Sequence, residues 1–561
     1  MNIRISIGIV LLLISAGGLR AQSRQLAVPS EAQYRWHEQE RLMFVHFGMA
    51  TWQGKEYDDG NFDLSRVNPS KLNTDQWCEV ARSWGAKQII FVAKHVGGFC
   101  WWPTNTTEYC VRNIPWKNGK GDLFAELAES CKKYGINLGV YIYPGDVSYG
   151  AGIGSGGKTA DPSKQEAYNK VFRQQLTEVL TRYGSMSEVW FDGSCVIDVK
   201  DILEQHAKDA VIFQGPQATI RWPGTESGQL FYPAWNTLKK EELASGVATQ
   251  YNDDPNGDAW GPLEPDAPLY NHAWFWSPEK EKLRRPVDEL MEMYYHSVGY
   301  GSVLLLNATP DTTGLIPPGD VQRYKEFGNE INRRFSKPVA VISDRSGAIT
   351  TLPLKKPMAV NHVELMEDYR KGERIREYRL EGLSGTKWKL LSAGSSVGRK
   401  KIDNFSTQTV SKLRLTVLKS ADTPLIRSIK AFNVEGYKHK PGAFESSDWK
   451  QVGTWDTKSF VGGKGTVKVD LSRYITKPGQ YEVKFLYSVN VTGMQIDTAT
   501  IRFEDDETLQ SYIQRKDGMT YYINRTSQVD TNSSSVVEFV LRSDNSSFNN
   551  KGTIMFRPRR K

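Results

Sequence analysis

Two carboxylates that face each other across a bound sugar can break a glycosidic bond. One attacks the anomeric carbon while the other protonates the leaving oxygen, when they stand about 5–5.5 Å apart. The sequence offers candidates for both. Asp192 closes the apolar run Glu188-Val189-Trp190-Phe191-Asp192-Gly193, which places an acid at the C-terminal end of a strand, where barrel enzymes build their sites. A carboxylate capping the next helix is the plain alternative. Glu226, in Arg221-Trp222-Pro223-Gly224-Thr225-Glu226, is the candidate acid/base, and Glu264, in Trp260-Gly261-Pro262-Leu263-Glu264-Pro265-Asp266, competes for that role or for a place in the pocket. Indoles accompany all three, Trp190, Trp222 and Trp274 among them, and an indole face suits the C–H face of a pyranose. His46 in Val45-His46-Phe47-Gly48, His95 in Ala93-Lys94-His95, and Tyr141 lie at or within other apolar runs, so several polar side chains converge on one rim.

Other chemistries fit less well. His37, His46, His95, His206, His272, His296, His362 and His439 form no H-x-H or H-E-x-x-H grouping, so no metal is expected, nor any other cofactor. Gly152-Ile153-Gly154-Ser155-Gly156-Gly157 matches G-x-G-x-x-G, but Pro144 to Gly150 separates it from its strand. That is not the tight turn that brings a helix onto a pyrophosphate, and the segment reads as a loop over the barrel mouth. The cysteines, Cys78, Cys100, Cys110, Cys131 and Cys195, read as buried thiols, with one Cys100–Cys110 disulfide as the alternative.

These residues need a scaffold. From about residue 36 to 335, apolar runs at Leu42 to Phe47, Gln88 to Lys94, Ile136 to Tyr143, Glu188 to Phe191, Val211 to Phe213 and Ser302 to Leu306 alternate with helical stretches. Asn73 and Asp122 are placed to cap the helices that follow them. Strands apolar on both faces, separated by helices, predict an α/β fold of the (β/α)₈ TIM-barrel type. Beyond it, short alternating strands predict a β-sandwich over 337–437, a polar linker at 438–447 and a second all-β domain over 448–561. The barrel takes 22–336.

At the N-terminus Arg4 precedes the apolar run Ile5 to Ala16 and the small-residue end Leu19-Arg20-Ala21. That run is shorter than the roughly 20 residues that span a bilayer, so residues 1–21 read as a cleaved signal peptide, with no membrane span and a periplasmic or extracellular product. The net charge is +8 over 561 residues, and its one dense basic cluster, Arg557 to Lys561, reads as a solvated tail and not a nucleic-acid arm.

With these motifs in place the chain resembles glycoside hydrolase family 29, the α-L-fucosidases. Val45-His46-Phe47-Gly48, Gly54-Lys55-Glu56, Ala93-Lys94-His95, Val189-Trp190-Phe191-Asp192-Gly193 and Leu304-Leu305-Leu306-Asn307 occur in that family's order. The resemblance implies that Asp192 is the nucleophile and that His46, Glu56, His95, Tyr141 and Trp190 line a sugar pocket. It also implies a fucosylated glycan as substrate. Arg221 to Glu226 is similar to the acid/base segment of the branch acting on α-1,3/1,4-linked fucose, with Thr225 where that branch has Asn, and Trp260 to Trp276 is similar to another of its active-site stretches. Two departures stand out. Val96 replaces a second histidine, and Tyr143-Pro144-Gly145-Asp146 replaces Ser-Pro-Trp-Asp. An α-L-galactosidase and a carbohydrate-binding protein without turnover are the alternatives.

Overall fold

The computed structural model describes residues 26–230, 232–271 and 273–439. Beyond these it describes 450–456, 459–461, 464–471 and the strand segments 479–487, 498–503, 512–513, 520–525, 536–542 and 551–558. The expected leader and residues 440–447 of the expected linker lie outside the described residues.

The chain enters through α1 (Glu31–His37), whose Ser30 and Gln33 cap each other's backbone amides. Strands β1 (Arg41–Val45), β2 (Gln88–Lys94), β3 (Asn137–Ile142), β4 (Glu188–Trp190) and β5 (Val211–Phe213) follow. A two-stranded antiparallel ribbon, β6 (Thr237–Leu238) and β7 (Ala259–Trp260), precedes β8 (Asp266–Pro268) and β9 (Leu304–Ala308). Apart from the ribbon these strands pair in parallel, in the order β5-β4-β3-β2-β1-β9-β8. The gap between β5 and β8 is bridged by Ile220, which pairs with Phe213, and Arg221, which pairs with Leu263. Arg221 N donates to Pro262 O (2.9 Å) and Glu264 N to Arg221 O (2.8 Å). A two-residue segment thus supplies the eighth stave of the barrel.

Around the sheet run α2 (Met49–Gln53), α3 (Thr74–Trp84), α4 (Leu123–Tyr134), α5 (Gln165–Arg182), α6 (Lys200–His206), α7 (Lys240–Ala244), α8 (Val287–His296) and α9 (Pro318–Phe335). Asn73 and Asp122 accept from the first-turn amides of α3 and α4 as expected, and both helices stop at glycines in the left-handed region, Gly85 and Gly135. The strands alternate as a doubly covered sheet must. Leu42, Phe44, Ile90, Tyr141, Trp190, Phe213 and Leu305 fill the barrel interior, while Met43, Val45, Ile89, Val140, Val189 and Leu306 pack under the helices.

Past α9 the chain forms β10 (Ala340–Ser346), β11 (Ile349–Glu367), β12 (Ile375–Ser384), β13 (Lys387–Gly394), β14 (Lys401–Ser420) and β15 (Leu425–Phe432), an antiparallel sheet in the order β10-β15-β11-β14-β12-β13. Register shifts in β11, between Pro353 and Met358 and between Val360 and His362, bend the long strands around one apolar core. This domain is fastened to the barrel by charge: Arg427 grips Glu38 through two 2.8 Å bonds, and Arg399 and Lys400 both reach Glu40. Farther on, β16 (Lys450–Asp456), β17 (Lys464–Asp470), β18 (Gly479–Tyr487), β19 (Thr498–Phe503), β20 (Tyr512–Ile513), β21 (Thr520–Arg525), β22 (Val536–Arg542) and β23 (Lys551–Pro558) make two antiparallel sheets, β16-β23-β18-β21 and β17-β22-β19-β20.

The cysteines are all buried and free. The Cys100–Cys110 disulfide does not form. Their backbones bridge, but Cys100 Sγ turns to Gly98 O and Cys110 Sγ to Thr104 O.

Candidate active site

The strand ends on one side of the barrel bring most of the expected side chains together. Asp192, two residues past Trp190 on β4, has its Oδ2 bound by the Tyr141 hydroxyl of neighbouring β3 at 3.0 Å. Burial pushes its carboxyl up to about 6, and the Tyr141 bond opposes that rise. Tyr141 is itself held flat between His95 (ring centroids 5.8 Å) and Trp190 (5.3 Å). The expected nucleophile therefore rests on an oriented donor in a layer of stacked rings.

Glu226 is exposed on the segment that follows Ile220 and Arg221, and its Oε2 accepts from the Trp274 indole at 3.0 Å. Its charge is among the causes that raise the Asp192 carboxyl, which puts both acids in one mouth. Trp274 also ties in Glu56: its backbone N–H donates to Glu56 Oε2 (2.8 Å), while Lys280 pairs with Glu56 Oε1. Trp222 donates its indole N–H to Asp266 Oδ1 at 2.8 Å. Burial, then the Glu226 charge, drives the Asp266 carboxyl well above the usual range.

His46 directly follows β1, and its tautomer is set by its neighbour. Asn307 Nδ2 donates to Trp274 O (2.9 Å), so Asn307 Oδ1 must accept from His46 Nδ1–H (2.8 Å). That leaves Nε2 as an acceptor, and burial, with the nearby His95, lowers the imidazole to about 3, which keeps it neutral. Burial lowers His95 to about 4. Phe275 meets both imidazoles edge-on at 5.2 Å.

Two expected residues lie deeper. Trp190 is buried, stacked on Phe213 at 3.8 Å beneath Tyr141. Glu264 is wholly buried in the barrel interior, its Oε1 accepting from Trp190 Nε1 at 2.7 Å, with no exposure to the mouth. Val96, at the family's second-histidine position, packs into the interior with Val92 and Tyr143. The glycine-rich segment lies at the rim, where Gly154 N donates to Tyr143 Oη (2.8 Å).

Sequence reasoning missed Tyr57, Asp266, Phe275 and Asn307. Tyr57 is exposed, lies parallel to His95 at 6.1 Å, and has its phenol raised by burial and then by Glu226, Asp192 and Glu56. Adjacency to Glu56 was its one signal. Among the described residues no three His, Cys, Asp or Glu side chains group to hold a metal ion.

A family model described as alpha-L-fucosidase matches residues 21–334. Alpha-L-fucosidase 1 of Arabidopsis thaliana is 31% identical over 453 residues, which cover 72% of this chain and 86% of that protein. Among solved structures, a putative alpha-L-fucosidase from Bacteroides thetaiotaomicron is 35% identical with a TM-score of 0.69, covering 73% of this chain and all of that one. A glycoside hydrolase 29 family member from an unknown rumen bacterium is 27% identical with a TM-score of 0.67, and it covers 96% of this chain and 100% of its own.

Proposed function

The chain belongs to the alpha-L-fucosidase family of glycoside hydrolases, and we propose that it is a retaining exo-α-L-fucosidase with Asp192 as nucleophile and Glu226 as acid/base. The observation that carries this reading is the pairing of roles in one mouth: a half-buried carboxylate oriented by Tyr141, and an exposed carboxylate oriented by Trp274. Tyr141 occupies Asp192 Oδ2, so Oδ1 attacks the anomeric carbon as Glu226 gives its proton to the departing oxygen. Glu226 then takes a proton from water, whose oxygen displaces Asp192 from the sugar. His46 Nε2 offers an acceptor to a sugar hydroxyl, and Tyr57 and Phe275 supply apolar walls. Glu226 is favoured over Glu264 as acid/base because an acid that hands a proton to a leaving group must meet it, and Glu264 is enclosed.

The similarity of Arg221 to Glu226 to the α-1,3/1,4 branch supports that linkage, and the leader-like N-terminus supports export. The galactoside alternative rests only on the departure at Val96, which packs into the interior where the family resemblance implies a second histidine. A panel of p-nitrophenyl glycosides tests the reading. Release from α-L-fucoside supports it, release from α-L-galactoside alone replaces the sugar, and binding without release makes the protein a carbohydrate-binding one. Asp192→Ala should abolish turnover. Azide should restore activity to Glu226→Ala, and rescue of Glu264→Ala instead would overturn the assignment.

A further inference from the structure

Below the nucleophile the barrel interior holds two carboxyl groups that the reaction does not use. Glu188, Trp190 and Asp192 alternate inward along β4, so Glu188 lies one layer under Trp190 and two under the nucleophile. Glu188 Oε2 accepts from Trp36 Nε1 (2.8 Å) and from Gln88 Nε2 (2.7 Å). Gln88 is locked in that sense because its Oε1 already accepts from Gln39 and Ser187. On the other side, Glu264 Oε1 accepts from Trp190 Nε1. The remaining oxygens, Glu188 Oε1 and Glu264 Oε2, are buried with no donor among the described residues, and each carboxyl acts on the other.

Three N–H donors occupy the outer oxygens, so the pair can be satisfied in only one way. We propose that Glu188 and Glu264 share a single proton between Oε1 and Oε2, and that this pair positions Trp190 beneath Tyr141 and Asp192. Glu264 also receives the strand that leads to Glu226, through its backbone N–H to Arg221 O. The pair thus joins the supports of both candidate acids, and in that respect the inference rests on the proposed catalytic roles. Asp266 also acts on Glu264, and burial raises its own carboxyl in the same direction.

An isolated glutamate releases its proton near pH 4.3, whereas burial holds the proton on this pair to higher pH. Stability contributed by the pair is therefore full in acid and is lost as pH rises and the proton leaves. Glu188→Gln removes that dependence, because its amide N–H takes the place of the shared proton while its oxygen still accepts from Trp36 and Gln88. Glu264→Gln does the same from the other side. The double variant sets two amide donors face to face.

The test is thermal unfolding of the full chain from pH 5 to 9, without substrate, for wild type, both single variants and the double. Wild type should lose more Tm across that range than Glu188→Gln, by about 3 °C or more. The double variant should melt below either single one. Equal pH slopes, or a double variant no worse than the singles, would overturn the shared proton. For positioning, Glu188→Gln should keep kcat within about threefold on the substrate found by the panel, and Glu264→Leu should lower kcat about tenfold with KM within about twofold. Glu264→Leu with unchanged kcat would overturn the positioning role; if it fails to fold, the unfolding series still decides the pair. Because that series needs no substrate, failure of the fucoside assay leaves it intact.

Discussion

Replacing Tyr141 with Phe removes one atom from the site and tests how Asp192 is held. The ring keeps its contacts with His95 and Trp190, and only the 3.0 Å donor to Asp192 Oδ2 is lost. A hydrogen bond to a charged group is worth about 1.5–3 kcal/mol, and each pKa unit is 1.36 kcal/mol, so the Asp192 carboxyl should rise by about 1–2 units from its starting value. Its starting value of about 6 already reflects burial working against that donor. Asp192 must be ionised to act as the proposed nucleophile, so activity should rise with pH through this value. The acid limb of kcat/KM, which reports the free enzyme, should move from about 6 to about 7–8. At pH 7 the ionised fraction then falls from about nine-tenths to between about a half and a tenth, a loss of about two- to tenfold that disappears near pH 9. The assay is the pH profile of p-nitrophenyl fucoside hydrolysis by both proteins. An unmoved acid limb, or a loss equal at all pH values, would refute the argument that this hydroxyl sets the charge of Asp192.

Other perturbations separate support from chemistry. Asn307→Ala frees His46 Nδ1 and the Trp274 carbonyl together, so KM for the fucoside should rise about tenfold, with Tm also falling, as read by steady-state kinetics and calorimetry. Trp274→Phe deletes the indole donor to the exposed Glu226; since neutral donors to surface carboxylates are worth about 1 kcal/mol, kcat should fall only about fivefold with the ring wall retained. Arg221→Ala strips a buried guanidinium from Gly261 O, Thr249 O, Trp235 O and Asp253, and unfolding by denaturant at pH 8 should show a loss of about 3–5 kcal/mol. The loss should shrink at pH 5, because burial raises Asp253 to about 7 and a protonated Asp253 has no charge to leave unpaired.

What could be read in the sequence followed from local rules. Asn73 and Asp122 act through their own next few residues, and β1 to β5 are apolar runs that need both faces covered, so these features are visible before any folding. Asp192 shares that visibility because it ends such a run. Ile220 and Arg221 do not, since two residues carry no periodicity and become a strand only when Phe213 and Leu263 flank them. Glu226 and Glu264 look alike as glutamates among tryptophans. Their difference, one at the mouth and one enclosed, depends on that short stave and on the interior-facing side of the Leu263 segment. Likewise the spacing of Cys100 and Cys110 allowed a bridge, and the direction of each sulfur, set by Gly98 and Thr104, forbade it.

The proposed acid/base segment also gives a reason for the place of the first β domain. A loop bearing an exposed carboxylate must hold its position to within a fraction of an ångström for proton transfer, yet β5 to β8 is the least regular part of the barrel. Arg221 gathers that region's carbonyls from inside. From outside, Glu373 binds Asn236 through both its backbone N–H (3.1 Å) and its side-chain amide (2.7 Å), and Arg376 lies over the Trp235 ring at 4.8 Å. Tyr232 reaches Ser396 O at 2.8 Å. The β domain therefore grips the same excursion that Arg221 anchors, and a cut that removed it would leave buried Asn236 and the Trp235 face open to water. On this argument the domain contributes to catalysis through stiffness at Glu226 and not through contact with sugar, so Glu373→Ala should lower kcat more than it raises KM.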